Sequence, residues 1–165
     1  MESEHRLLSR TEAAALAANL RASGQVVVFT NGCFDLLHAG HIELLERARQ
    51  LGDVLILGLN TDASVRRLKG AGRPLIDQQD RARVCLALRS VDYVTFFNED
   101  TPLETIRAIR PAVLVKGGDY QIHEVVGRDI VESDQGRVVI IPLVEGKSTT
   151  ALIRKMTAPD TRETP

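Results

Sequence analysis

Five short apolar runs, separated by segments with helical periodicity, constrain the fold of this chain more than any other feature. The runs are Val26–Thr30, Val54–Leu59, Tyr93–Phe97, Val113–Lys116 and Val138–Pro142. They alternate poorly between apolar and polar residues, which is typical of strands buried on both faces. Strands and helices in regular alternation predict an α/β fold with right-handed crossovers. We therefore expect one doubly wound sheet of five parallel strands, with the order 3-2-1-4-5 assumed for such sheets.

The segments between the strands carry helix signals. An alanine-rich helix that packs on the domain is expected after Ser9 and Glu12, which match a capping box. The chain leaves that helix at Gly24, since glycine commonly ends helices. Further helices are predicted over Ile42–Leu51, over Asp77–Ser90 and from a cap at Thr101 to Pro111.

The composition is that of a globular protein with one self-sufficient core. The chain has 165 residues, 44% of them hydrophobic and 26% charged, and its net charge is −1. So small a charge gives no general attraction to nucleic acid or anionic lipid, and any bound anion needs a local site. No apolar run spans a bilayer, no secretory signal is evident, and two cysteines form no disulfide framework. We therefore expect a cytoplasmic protein without nucleic-acid or membrane partners.

Glycine-bearing polar loops follow three of the predicted strands. These loops are Thr30–His41, Lys116–Tyr120 and Glu145–Thr150, and a basic loop, Lys69–Pro74, follows the second strand and its short helix. In a doubly wound sheet of the assumed order, the first and fourth strands are neighbours, and ligands bind at their carboxyl ends. The sequence therefore predicts that the first two loops face each other across a ligand cleft.

The loop Thr30–His41 has the features of a phosphate site. A glycine-bearing turn between a strand and a helix presents N–H groups to an anion, and Gly32 and Gly40 permit close approach of the backbone. His38 and His41, three residues apart, are expected to donate hydrogen bonds to a phosphoryl group during its transfer. Together with Lys69, these histidines are the candidate catalytic residues.

Other loop residues are candidates for binding the nucleotide and its phosphates. Ser148, Thr149 and Thr150 begin the last predicted helix and offer hydroxyl and N–H groups to phosphate oxygens. Arg73 is expected to act with Lys69 as a mobile cation, and Asp119 to accept a ribose hydroxyl. The remaining candidates lie in the same loops and are Thr30, Asn31, Phe34, Asp35, Lys116 and Gly118.

Each pattern also has a simpler interpretation. Zinc needs more ligands than two histidines, and His5 and His123 lie in weak contexts, so no metal site is predicted. Taken singly, the features can be a surface histidine pair, a turn at Gly117–Gly118, a helix cap at Ser148–Thr150 and a solvated loop at Lys69–Pro74. Cys33 is interpreted as a packing residue because no base is fixed beside it. The occurrence of these loop motifs at successive strand ends favours a common site.

The segment Asn31–His41 contains the complete signature of the small nucleotidyltransferases with a His-x-Gly-His motif, and the chain resembles that family from about Glu12 to Met156. Within the family it is most similar to the bacterial adenylyltransferases that act on heptose 1-phosphate. Other similar segments are Asn60–Val65, Leu68–Gly70, Arg73–Pro74, Val91–Val94, Val115–Tyr120 and Glu145–Thr150. The resemblance implies one Rossmann-like domain over residues 1–156, and the polar residues 157–165 are expected to form a disordered tail.

The resemblance also implies a reaction. AMP passes from ATP to D-glycero-β-D-manno-heptose 1-phosphate, giving pyrophosphate and ADP-heptose for the lipopolysaccharide core. The phosphate-binding histidines of the family correspond to His38 and His41, its basic transition-state residue to Lys69, and its helix-start phosphate site to Ser148–Thr150. Magnesium is implied as the companion of ATP, bound mainly through phosphates and water, and relatives suggest a homodimer.

Alternatives remain for the substrates and for catalysis itself. Lys147 stands where a small or apolar residue is expected, which leaves the choice between ATP and CTP open. A kinase half is not present, so a separate enzyme is expected to supply the sugar phosphate. One alternative is a cytidylyltransferase that acts on glycerol phosphate or another small phosphate. Another is a non-catalytic nucleotide-binding regulatory module, against which the histidine pair and Lys69 argue.

Overall fold

A computed structural model describes residues 4–142, in which helices cover both faces of a parallel sheet. Its strands are β1 (Leu7–Leu8), β2 (Val27–Gly32), β3 (Val54–Asn60), β4 (Tyr93–Phe97), β5 (Val113–Gly117) and β6 (Arg137–Ile141). The helices are α1 (Arg10–Ala22), α2 (Ala39–Arg49), α3 (Asp62–Lys69), α4 (Gln78–Leu86), α5 (Leu103–Ile109) and α6 (Arg128–Ser133). Short 3-10 turns occupy Glu4–Arg6 and Ile122–Glu124. No helix within residues 4–142 has the length and apolar character needed to cross a bilayer.

The prediction of five strands is wrong, because the sheet has six, in the order β1-β4-β3-β2-β5-β6. The additional strand, β1, is two residues long and pairs in parallel with β4 at the edge of the sheet, Leu7 beside Val94 and Leu8 beside Thr95. Two residues are too few to show strand periodicity, and pairing with a strand far along the chain makes this segment a strand. The other five strands lie in the predicted relative order, and the α/β, Rossmann-like class fits.

The sheet is buried on both faces, as the poor alternation of its strands predicts. On one face, α2 and α4 contribute Leu44, Leu45, Ala48, Ala82, Cys85 and Leu86 to the core. On the other face, α1, α5 and α6 contribute Ala13, Ala17, Ile106, Ile109 and Val131. Phe29 of β2 is fully buried there, and a Cβ on Gly58 of the adjacent β3 would lie 2.6 Å from its ring. The glycine therefore makes room for the aromatic ring between neighbouring strands.

Of the six helices within residues 4–142, local signals located the starts of α1 and α4, while α2 begins at Ala39 rather than at the predicted Ile42. The Oγ of Ser9 accepts from the N–H of Glu12 at 3.2 Å, and the Glu12 carboxylate accepts from the Ser9 N–H at 2.7 Å, which confirms the predicted capping box. Asp77 caps α4. The predicted cap at Thr101 is wrong, because Pro102 occupies the N-cap of α5 and no side chain caps that helix. Helix α6 was not expected from the sequence.

Some predictions concern residues beyond 142 and lie outside the described part of the chain. They are the loop Glu145–Thr150 with Lys147, the helix that follows it and the disordered tail at residues 157–165.

Candidate active site

The carboxyl ends of the central strands border a cleft of about 520 Å³. Strand β2 pairs with β3 on one side and with β5 on the other, and Thr30 lies beside Val115 in that pairing. The loops after β2 and β5 are therefore neighbours, as the assumed strand order predicts. Ten of the residues lining the cleft are Asn31, Gly32, Cys33, Phe34, Asp35, His41, Lys69, Arg73, Lys116 and Gly117.

The two histidines lie together at the start of α2. His38 is the N-cap residue, and His41 occupies the first turn of the helix. Their rings are stacked, with centroids 3.9 Å apart and an interplanar angle of 27°. The ring of Phe34, whose backbone has a φ of 46°, lies 4.9 Å from that of His41. The structure thus brings His41 to the cleft lining and holds His38 against it.

The surroundings of His41 favour the neutral form of its imidazole in the ligand-free protein. Burial, and secondarily the neighbouring His38, lower the pKa of His41 to about 4. Its Nδ1 is buried and accepts or donates no hydrogen bond within the described residues. A neutral imidazole carries one N–H donor and one acceptor nitrogen. An anion placed beside this ring would favour its protonated form and raise the pKa.

Asp35 binds the loop between α3 and α4. Its carboxylate accepts from the N–H groups of Leu75 at 2.9 Å and Ile76 at 3.0 Å, and from Nε of Arg73 at 2.6 Å. Burial alone would raise the pKa of Asp35, but these donors together hold it below its usual value. The carboxylate is therefore ionised, and its oxygens already have partners. Arg73, predicted to be a mobile cation, is paired with this carboxylate.

Several other predicted binding residues have partners within the fold. Thr30 is fully buried, and its Oγ1 donates to the carbonyl oxygen of Val115 at 3.0 Å. Gly40 is buried in the first turn of α2. The N–H of Gly118, at a φ of 126°, donates to Ile141 at 3.0 Å. Asp119 is exposed and is not part of the cleft lining, and Ser148, Thr149 and Thr150 lie outside the described residues.

Two lysines face the cleft from opposite sides of β2. Lys69 is the last residue of α3 and is exposed. Lys116 lies near the end of β5 and lines the cleft. Its Nζ is 3.5 Å from Oδ1 of Asn31 and 5.5 Å from the centre of the Tyr120 ring. Burial lowers the pKa of Lys116. Within residues 4–142 neither lysine forms an ion pair, so both charges are available to an anion.

Sequence reasoning missed two buried residues and four polar residues of the cleft lining. Arg81 of α4 is fully buried and bonds to the loop that contains Cys33, while Asn60 lines the cleft at the end of β3. Arg81 is one of three arginines in the helix predicted over Asp77–Ser90, and no local pattern distinguishes it as buried. These four polar lining residues are Asp100 and Thr101, which follow β4, and Tyr120 and Glu124, which follow β5.

No protein metal centre or reactive thiol is evident among residues 4–142. No three of their His, Cys, Asp and Glu side chains are grouped so as to hold a metal ion. Cys33 is half-buried, and burial raises the pKa of its thiol. A raised pKa keeps the thiol protonated and poorly nucleophilic, consistent with a packing residue.

Comparisons with known proteins match most of the chain. Residues 29–155 match the model of the cytidylyltransferase-like family. The chain is 58% identical over 155 residues to the bifunctional protein HldE of Trichlorobacter lovleyi, a match that covers 94% of this chain and 32% of that protein. It is 60% identical over 136 residues to the bifunctional protein HldE of Syntrophotalea carbinolica, covering 82% and 28%. The chain thus spans about a third of the length of these curated relatives.

Solved structures show the same architecture. The lipopolysaccharide core biosynthesis protein of Thermoplasma volcanium is 26% identical with a TM-score of 0.61, and the match covers 75% of this chain and all of that one (100%). The pantoate-β-alanine ligase of Francisella tularensis is 14% identical with a TM-score of 0.57, over 82% of this chain and 66% of that one. At that identity the second likeness concerns the fold alone.

Proposed function

The chain belongs to the cytidylyltransferase-like family, which confirms the family resemblance of its sequence, and on that premise we propose that it transfers AMP from ATP to heptose 1-phosphate. The products are ADP-heptose and pyrophosphate. The observation that carries the proposal is the stacked pair of His38 and His41 at the start of α2, beside a cleft with two unpaired lysines.

The acceptor brings its own nucleophile to this reaction. A phosphate monoester has a second pKa of about 6, so a sugar phosphate is largely dianionic at neutral pH. Attack of its oxygen on the α-phosphorus therefore needs no general base from the protein. The main barrier is repulsion between two anions, and the cations and N–H groups of the cleft lower it.

The histidines and α2 supply donors to the phosphoryl group being transferred. The first turn of α2 carries the positive end of the helix dipole and unpaired N–H groups, which favour an anion. His41 adds an N–H whose alignment is maintained by the stacked His38 ring and by Phe34. Donors held rigidly before charge develops stabilise the transition state more than mobile ones do.

The two lysines suit the two anionic substrates. We assign Lys69 to the triphosphate, because it ends α3 on the side of the cleft that contains His41 and Arg73. Lys116 lies on the β5 side, half-buried and without a carboxylate, and is assigned to the acceptor phosphate. Ser148, Thr149 and Thr150 remain part of the proposal as phosphate ligands, and Asp119 as a ribose ligand.

Magnesium fits this cleft as a companion of ATP. Since the described residues offer no group of three carboxylate, histidine or thiolate ligands, the ion would be bound mainly by phosphate oxygens and water. When bound, it supplies positive charge to the triphosphate. Asp100 and Glu124 are the acidic side chains of the lining that have solvent access to that charge.

The polar lining residues support a polyhydroxylated acceptor. Asp100 and Glu124 each use one carboxylate oxygen within the fold, which accepts from Nε of Arg67 at 2.9 Å and from the N–H of Gln121 at 3.0 Å, and each has a second oxygen for a ligand hydroxyl. Thr101 offers a hydroxyl, and Tyr120 offers an aromatic ring and a hydroxyl. These groups match the hydroxyls and C–H faces of a sugar better than a short alkyl phosphate.

We also propose that the protein is cytoplasmic and forms a homodimer. Light scattering after gel filtration tests the oligomeric state.

Pyrophosphate release tests the proposed reaction. Wild-type protein with magnesium is assayed with ATP and CTP against heptose 1-phosphate, hexose 1-phosphates and glycerol 3-phosphate. We expect ATP with heptose 1-phosphate to give the highest kcat/KM. Release only with CTP and glycerol phosphate would establish the cytidylyltransferase alternative, and release with none would favour a regulatory module.

The same assay tests the histidines. His38→Ala and His41→Ala are expected to lower kcat by about 100-fold or more with a modest change in KM, because their hydrogen bonds strengthen in the transition state. His123→Ala is the matched control, since His123 is exposed and lies outside the cleft lining. Near-normal turnover of either cleft variant would contradict the assigned role.

A further inference from the structure

One arginine in the core has an unusual set of partners. Arg81 in α4 is 1% exposed, and its guanidinium contacts main-chain oxygens rather than solvent. Nη1 donates to the carbonyl of Cys33 at 2.6 Å, Nε to that of Ile76 at 3.0 Å and Nη2 to that of Asn60 at 2.9 Å. Nη2 also donates to Oδ1 of Asp62 at 2.8 Å, which supplies the countercharge. A buried charge is tolerated only when it is paired and hydrogen-bonded in this way.

The three carbonyl groups belong to three segments that border the cleft. Cys33 lies in the loop between β2 and the histidines, Asn60 ends β3, and Ile76 lies near the end of the α3–α4 connection, which contains the basic loop Lys69–Pro74. Cys33 precedes Asn60 by 27 positions and Asn60 precedes Ile76 by 16, so no local backbone pattern sets the spacing of these segments. The planar guanidinium, with five N–H groups in a fixed fork, sets it instead.

The α3–α4 connection is hydrogen-bonded on both sides at Ile76, just after the basic loop. The N–H of Ile76 donates to Asp35 of the histidine-bearing loop at 3.0 Å, and the carbonyl of Ile76 accepts from Arg81. The first half of the loop differs, because a Cβ on Gly70 or Gly72 would meet nothing within 4 Å. The base of the loop is thus fixed to the histidine-bearing loop, while Gly70 and Gly72 border open space.

We propose that Arg81 is a positioning residue for the transfer reaction: it holds the histidine-bearing loop, the end of β3 and the base of the basic loop at the spacing the cleft requires. It does so without touching substrate, since the guanidinium is buried and is not part of the cleft lining. The inference rests on the proposed function for its kinetic readout and has a second readout that does not.

The kinetic test uses Arg81→Lys. Lysine keeps the charge but presents one compact ammonium, which cannot reach carbonyls on three segments at once. We expect kcat to fall about tenfold or more at a temperature where the variant is folded, because small displacements of catalytic groups are costly. The KM for ATP is expected to change by less than about threefold, since the binding groups themselves remain. A folded variant with kcat within twofold of wild type would overturn the proposal.

Hydrogen exchange provides the readout that a merely structural role would not change. In Arg81→Lys, the amides of Leu75 and Ile76 are expected to exchange about tenfold faster relative to those of β2. A general loss of stability would instead speed exchange in both regions together. The control is Arg49→Lys, because Arg49 also bonds a carbonyl, that of Gly52 at 2.7 Å, and a carboxylate, that of Asp92 at 2.8 Å. That variant should leave the amides of Leu75 and Ile76 unchanged.

A second variant decides the matter if Arg81→Lys does not fold. Asp62→Asn removes the countercharge at a position that keeps 24% side-chain exposure, and we expect lower kcat with faster exchange at Ile76. Unchanged kcat and unchanged exchange in that variant would overturn the proposal. If wild-type protein releases no pyrophosphate with any nucleotide, the proposed function fails, and the exchange measurement still decides the role of Arg81.

Discussion

Charged residues of this cleft divide into those that can bind a ligand and those whose partners lie in the fold. Asp35 and Arg73 were both predicted to contact the nucleotide, yet they are bonded to each other at 2.6 Å. Lys69 and Lys116 keep their charges unpaired within the described residues. A residue type in a motif therefore indicates proximity to the site, whereas the partners of the side chain indicate its role.

The depressed pKa of His41 predicts a pH-dependent stability. The unfolded imidazole has a pKa near 6.5 and the folded one near 4, so the unfolded chain binds more protons between these values. Stability from this group is fully present above pH 6.5 and is lost as the pH falls through this range. The loss in the ligand-free protein is on the order of 2–3 kcal/mol.

Urea unfolding of wild type and His41→Gln between pH 4 and 7.5 measures this effect. The difference between the two proteins isolates His41 from the carboxylates that titrate in the same range. We expect wild type to lose stability more steeply than the variant as the pH falls below 6.5. Parallel curves would show that the His41 pKa is not depressed.

At the scale of single elements, α4 connects the basic loop to the core. Its N-cap, Asp77, directly follows Ile76, and Arg81 lies on its buried face. The carboxylate of Asp77 accepts from the N–H groups of Gln79 at 2.9 Å and Asp80 at 3.0 Å. The start of this helix was predictable because a cap and its acceptors lie within three residues of each other.

Replacing this cap should weaken α4 measurably. Asp77→Ala is expected to lower the free energy of unfolding by about 1 kcal/mol, because two N–H groups lose their acceptor. Denaturant unfolding measures the change. Asp77→Asn is the matched control, since asparagine also caps helices, and it should retain most of the stability. Equal stability of Asp77→Ala and wild type would show that the cap contributes nothing.

At the scale of the whole molecule, the short edge strand β1 completes the sheet. Leu7 packs against the core on the side of α2 and α4, and Leu8 against the core on the other side. Arg6 supports this edge by donating to the carbonyls of Asp92, at 2.8 Å, and of Val91. Strand β1 therefore covers the outer edge of β4 and seals both faces next to it.

Removing the side chains of β1 should destabilise the fold as a whole. The double substitution Leu7→Ala with Leu8→Ala is expected to cost roughly 2–4 kcal/mol, less than for two fully buried leucines because both are half-buried. Urea unfolding gives the value, and Leu75→Ala, at a leucine that is 55% exposed, is the control with little change. A double variant as stable as the control would show that β1 adds nothing to the core.

The parts of the fold that were predictable share a physical basis in local periodicity. Strand runs, the capping box at Ser9 and the cap at Asp77 depend on residues within a few positions of one another. The alternation of these elements then predicts a parallel sheet, and its strand order brings the loops after β2 and β5 together. For the same reason the location of the cleft was predictable from the glycine-bearing loops.

The roles of individual site residues depended on contacts that no local pattern encodes. Asp35 pairs with Arg73, which lies 38 positions away in the sequence, and Arg81 donates to the carbonyl of Cys33, which lies 48 positions away. Strand β1 exists because β4, 87 positions further along the chain, offers it a free edge. The charge of a side chain follows from its residue type, but the partner of that charge depends on how distant segments pack together. The amino-acid sequence alone therefore indicated the family, five of the six strands and the strand ends that border the cleft. The tertiary structure decided the edge strand, which charges face the cleft and which hold the loops, because those depend on contacts between distant segments.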